Sequence, residues 1–162
     1  MQKIKINNDL ANTRLDKAIS ILLTSTSRSK IQDYIDKNSD SIFMDELAFS
    51  EYMKDMFRIK GYTQQEVFLR ADMPERYGYK IISMEKHTVQ RDVIIRLCLA
   101  SEFDKAETNR ALKLYGLSEL YSKVPRDAVI IVAINSKIRN IDEVNDLLKK
   151  NGFNELYSFA LD

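Results

Sequence analysis

A chain of 162 residues, 44% hydrophobic and 30% charged, has the length and balance of one folded domain with room for an extension. Its four glycines and two prolines are too few for the closely spaced turns of a β-sandwich or barrel, and they exclude collagen-like and linker-rich chains. A net charge of +1 gives no global field toward nucleic acid, and one cysteine with one histidine excludes an internal disulfide and a zinc cluster.

In chain order, the alternating residues 2–6 read as a loosely docked terminus rather than a structural strand. Periodicity and capping signals then predict helices over 13–23, 29–37, 51–60, 63–71, 74–82, 89–101, 104–115, 125–136 and 141–151, with an irregular connection at 38–48. Four starts carry a capping box, in which a Ser, Thr, Asp or Asn precedes Glu or Gln by three positions: Ser29/Gln32, Thr63/Glu66, Asp104/Glu107 and Asn140/Glu143. Ser50 and Thr88 suit single N-caps. Pro74 and Pro125 suit the first helical position, where a missing N–H costs nothing. Gly61, Gly116 and Gly152 each follow a periodic segment, as C-terminal glycines do. The expected fold class is therefore all-α.

The run Ala128–Ile134 is β-branched enough to read as a buried strand. An internal repeat decides for helix. Arg91-Asp92 recurs as Arg126-Asp127, each pair opening an apolar run that ends at Ser101 or Ser136. Beyond a one-residue insertion, residues 107–122 match residues 143–158 at nine of sixteen positions, ending in Glu-Leu-Tyr-Ser both times. Each copy reads as an apolar helix, a short loop, an amphipathic helix and a glycine stop. The expectation is two stacked hairpins, with the Leu120-Tyr121 and Leu156-Tyr157 pairs folded back as staples. A peptide groove built on Tyr121 and Tyr157 is the functional alternative.

Charge is uneven along the chain. Residues 1–51 hold 7 basic and 8 acidic side chains, residues 52–101 hold 9 and 6, and residues 102–162 hold 9 and 10. Inside the basic third, the predicted helices 63–71 and 74–82 are separated by so few residues that they must cross sharply. The segment opens Thr63-Gln64-Gln65-Glu66-Val67, turns after Ala71, and places Ile81 inward on its second helix. It resembles the helix-turn-helix of the lambda-repressor-like, or Xre-type, DNA-binding family, and the resemblance covers residues 50–116. It departs from the family pattern at three positions. Asp72 stands at the turn position usually held by Gly, and Asp tolerates a left-handed backbone. Phe68 stands where the first helix is usually small, and Gly78 where the second is usually a bulky aliphatic. Since those two positions face each other in the family's fold, a compensating exchange is expected, with the Phe68 ring filling the space over Gly78.

The resemblance implies a bacterial, cytoplasmic transcription regulator that reads the major groove of double-stranded DNA with helix 74–82. Glu75, Arg76, Tyr79 and Lys80 share one face of that helix. Arg76 suits a bidentate contact to guanine and Glu75 an acceptor for cytosine. Tyr79 and Lys80 reach a base or a phosphate. Gln64 is placed for a phosphate at a helix N-terminus, and Lys86 and Arg91 for the DNA backbone. The plain alternative for all of them is a solvated surface. Residues 1–49 form an N-terminal helical extension, 50–101 the helix-turn-helix domain, and 102–162 a C-terminal repeat packed on it. A homodimer is expected for a DNA reader, through the N-terminal helices or the repeat.

Nothing in the sequence supports catalysis or a cofactor. His87 reads as a loop residue, Cys98 as core packing between Leu97 and Leu99, and paired carboxylates such as Asp142/Glu143 as helix-start charges. The longest apolar run cannot span a bilayer, and the first ten residues lack the apolar core of a signal peptide. The competing function is an all-helical protein-interaction adaptor, or an antitoxin-like protein, whose helix-turn-helix no longer reads DNA.

Overall fold

The computed structural model describes residues 45–159, so the predicted helices 13–23 and 29–37 and the terminus at 2–6 lie outside the described residues. Among the described residues there are seven helices and no strand: α1 Asp45–Lys60, α2 Gln64–Arg70, α3 Glu75–Ile82, α4 Arg91–Ala100, α5 Lys105–Tyr115, α6 Pro125–Asn135 and α7 Ile141–Lys150. The fold is all-α as expected, and Ala128–Ile134 is helical.

Local chemistry explains most boundaries. Thr63 and Asp104 each accept a hydrogen bond from the backbone N–H three residues on, and Glu66 and Glu107 reach back to the N-cap N–H. Asn140 accepts from Asp142 and Glu143 N–H. Pro125 opens α6, whereas Pro74 sits one position outside α3. Two expectations need correction. Ser50 is no cap but a buried residue within α1, because α1 starts at Asp45; the stretch 45–48 is thus helical, not irregular connection. Thr88 is not the N-cap of α4, which is Gln90; the Thr88 hydroxyl instead accepts from the Gln90 N–H.

Seven residues leave helices in the left-handed conformation. Gly61, Gly116 and Gly152 do so as expected, but Asp72, Met84, Glu102 and Lys137 do too, with φ of 50°, 62°, 61° and 59°. The chain thus closes helices with non-glycine residues where glycine is the ordinary choice. After Asp72, Glu102 and Lys137 the next N–H reaches a carbonyl five residues back (Met73 to Phe68, Phe103 to Cys98, Ile138 to Ala133), which satisfies an orphan acceptor.

One contiguous core runs from Phe49 to Leu156. Helix α1 lies against α5, and α2, α3 and α1 pack on one another, with α2 also on α4. The two repeats form hairpins α4–α5 and α6–α7. They are not stacked as in a solenoid. Helix α4 meets α7 while α6 meets α5, which is the reciprocal pattern of an approximate two-fold axis.

The repeated Arg-Asp pairs obey the same axis. The Arg91 guanidinium forks onto the Asp127 carboxylate, and that of Arg126 forks onto Asp92 at 3.0 and 2.8 Å. Each copy therefore holds the other's aspartate. Asp127 also accepts from the Tyr121 N–H and Asp92 from the Tyr157 N–H, both at 3.0 Å. Asn109 and Asn145 accept from the Leu120 and Leu156 N–H groups at 2.8 and 2.9 Å. The leucines are buried, but the tyrosine rings are exposed. The staple is the leucine alone, because its neighbour's backbone is tied to an aspartate with the ring turned outward.

Candidate nucleic-acid interface

Helices α2 and α3 are separated by four residues, Ala71 to Pro74, with Asp72 left-handed between them. Val67, Phe68, Gly78, Ile81 and Ile82 face inward. The expected exchange of bulk is present. An ideal Cβ on Gly78 would lie 2.5, 2.7 and 2.7 Å from Cδ1, Cε1 and Cγ of Phe68, so the ring fills the space a side chain would need. Tyr79 packs edge-on against the same ring at 4.9 Å and leaves its own ring 41% exposed.

The sequence-selected residues fall into three groups. Glu75, Arg76 and Tyr79 are exposed on the outer face of α3. Glu75 accepts from the Gln65 amide at 3.2 Å, which ties the first turn of α3 to α2. Arg76, one position on, is exposed, and no described side chain pairs with it. Lys80 and Lys86 border this face but are engaged: Lys80 with Glu85 at 3.6 Å, and Lys86 over the Tyr77 ring at 5.0 Å. Gln64 is half-buried in the first turn of α2. Beside it, hydrogen bonds from Thr63 hold the Glu66 carboxyl below its ordinary range.

Arg91 forms the third group. Its guanidinium carries the Asp127 fork and also faces the Ser118 and Glu119 carbonyls at 3.5 and 3.3 Å. This is the internal work of the repeat, at the hairpin junction.

Charge around the two helices is balanced. Residues 63–87 carry Arg70, Arg76, Lys80 and Lys86 against Glu66, Asp72, Glu75 and Glu85. Arg70 is exposed but engaged, donating to the Ala100 carbonyl at 2.8 Å at the end of α4, lying 4.6 Å over the Tyr62 ring and 3.8 Å from the Glu102 carboxylate. Cys98 is fully buried, and burial pushes its thiol well above the ordinary range. Among the described residues no group of His, Cys, Asp and Glu could hold a metal ion, and no helix is long and apolar enough to cross a membrane.

One residue escaped sequence reasoning. Arg96, in the apolar run of α4, is 2% exposed. It donates to the Ala71 carbonyl at 2.9 Å, the Tyr157 carbonyl at 2.6 Å and the Leu156 carbonyl at 3.4 Å. Burial lowers its pKa, opposed by the fields of Asp72 and Asp92. The available signal was its repeat partner, Ile131: an arginine in one copy and an isoleucine in the other.

No family model matches the chain, and no curated protein or solved structure is significantly similar to it.

Proposed function

We propose that the protein is a sequence-specific DNA-binding regulator, acting in the bacterial cytoplasm, with α2 and α3 as its helix-turn-helix and α3 as the helix that enters the major groove. The observation that carries this reading is the outer face of α3. It presents Glu75, Arg76 and Tyr79 together, with the Arg76 guanidinium unpaired among the described residues. A free planar fork on an exposed helix is what bidentate recognition of guanine requires, worth roughly 1–3 kcal/mol of discrimination. Gln65 holds Glu75 in place beside it.

A second reading rests on the charge balance. Four cations are matched in number by four carboxylates in residues 63–87, and Arg70, Lys80 and Lys86 already have partners. A protein-interaction adaptor with the same helices needs no positive field, whereas phosphate contacts do.

The two readings separate in a salt series of binding to genomic DNA fragments. A DNA reader selects a fragment with high affinity, weakens steeply with salt, and loses its preference on Arg76→Ala. Lys80→Ala weakens binding evenly across fragments. Binding that is absent, or indifferent to both substitutions, leaves the adaptor.

A further inference from the structure

We infer that Arg96 is a positioning residue that locks the C-terminal tail, residues 156–159, to the turn ahead of α3. Its value for DNA reading rests on the function proposed above; the lock itself does not.

The repeat supplies the control. At the matching position of the second copy stands Ile131, 9% exposed, in an intact hairpin. Packing of the hairpin therefore accepts an aliphatic side chain here. A guanidinium buried at the same position costs desolvation, and that cost is offset only by hydrogen bonds to groups that need donors. Those groups are known. Ala71 is the C-cap of α2, and its carbonyl belongs to the unpaired end of that helix. In the first copy the Tyr121 carbonyl accepts from the Val124 N–H as the chain turns into α6. The second copy has no following helix among the described residues, and Arg96 takes that donor's place at the Tyr157 carbonyl.

The tail then reaches α3 itself. Phe159 lies 5.0 Å from the Tyr77 ring and 5.6 Å from the Tyr157 ring, with the Arg96 guanidinium 5.8 Å above it. Asp92 fixes the Tyr157 N–H on the other side. One side chain thus joins the end of α2, the tail and, through Phe159, the recognition helix α3. Undocking the tail and loosening the turn are one event.

The test is amide hydrogen exchange on three variants of the full chain. Arg96→Ile, the residue of the sister copy, is expected to fold, to exchange at least tenfold faster at the hydrogen-bonded amides of Asp72, Met73, Gly78 and Tyr157, and to leave α6 and α7 unchanged. Arg96→Lys offers one ammonium in place of a fork and restores protection in part. Unchanged exchange in a folded Arg96→Ile overturns the proposal. So does a failure to fold that Arg96→Lys does not repair, since Arg96 is then a requirement of the core. Independently, deleting residues 157–162 retains the buried Leu156 and its carbonyl but removes the Tyr157 carbonyl and the Phe159 ring from the lock; faster exchange over 72–82 alone supports it, and unchanged exchange there overturns it. DNA binding is no part of the readout, so failure of the nucleic-acid reading leaves these outcomes intact.

Discussion

Gly78 tests the packing of the two-helix unit most directly. Glycine inside an exposed helix costs roughly 1 kcal/mol relative to alanine, so Gly78→Ala would ordinarily stabilise by that amount. Here the new Cβ would sit 2.5 to 2.7 Å from three carbons of the Phe68 ring. Carbon contacts are comfortable at about 3.5–4.0 Å, so the ring must retreat by roughly 1 Å. It cannot do so freely, being 1% exposed and wedged against Tyr79. Overpacking of this kind costs about 1–3 kcal/mol, leaving Gly78→Ala net destabilising by up to about 2 kcal/mol, and Gly78→Val by more. The sign should invert when the ring is removed. Phe68→Ala alone costs about 3–5 kcal/mol, and in that background Gly78→Ala should stabilise by about 1 kcal/mol. Urea denaturation followed by circular dichroism measures all four corners of the cycle, and the coupling should be about 1–3 kcal/mol, the overpacking cost itself. A Gly78→Ala protein more stable than the parent by the full helix-propensity gain, or an effect of the same sign and size in both backgrounds, refutes the exchange of bulk between the two helices.

Three further outcomes are expected. Asp127→Ala removes the partner of Arg91 and the acceptor of the Tyr121 N–H from a 1% exposed site, and should cost about 3–5 kcal/mol in urea denaturation; Asp92→Ala, half-buried, should cost less, and the reverse order contradicts the burial argument. Cys98 should resist a thiol reagent in the native state even at pH 9, because burial raises its pKa and keeps the thiolate minor; its labelling should follow global unfolding, so fast stoichiometric labelling excludes the buried placement. Lys137→Gly should stabilise by about 0.5–1 kcal/mol, since its left-handed backbone strains any residue with a Cβ; a lower melting temperature shows that backbone strain does not govern stability at this turn.

The helices were legible because their starts are chemical. Thr63, Asp104 and Asn140 cap where their spacing says they should, and Pro125 opens α6. The start of α1 was not legible, because Asp45 lacks the box spacing and Ser50 resembles a cap while lying in the core. Bulk at Phe68 and its absence at Gly78 could be paired only through the family resemblance, in whose fold those two positions face each other. Repeat identity was readable, but its geometry was not: matching residues report that two units are alike, whereas translation or rotation is decided by which Arg meets which Asp. Arg91 could pass for a DNA contact for the same reason, its partner being 36 residues away. Arg96 was hidden by its setting, since an apolar stripe read by periodicity absorbs one long side chain without changing the pattern.

The crossed Arg–Asp forks have an evolutionary consequence. A translational array grows or shrinks by whole units, because each new copy meets the last as the last met its predecessor. These two hairpins satisfy each other completely: Arg91 uses Asp127, Arg126 uses Asp92, and neither copy offers a spare pair to a third. Loss of one copy would strand an arginine and an aspartate of the survivor at once. The duplication is closed at two, so the chain can vary its tail and the outer face of α3, but not its number of repeats.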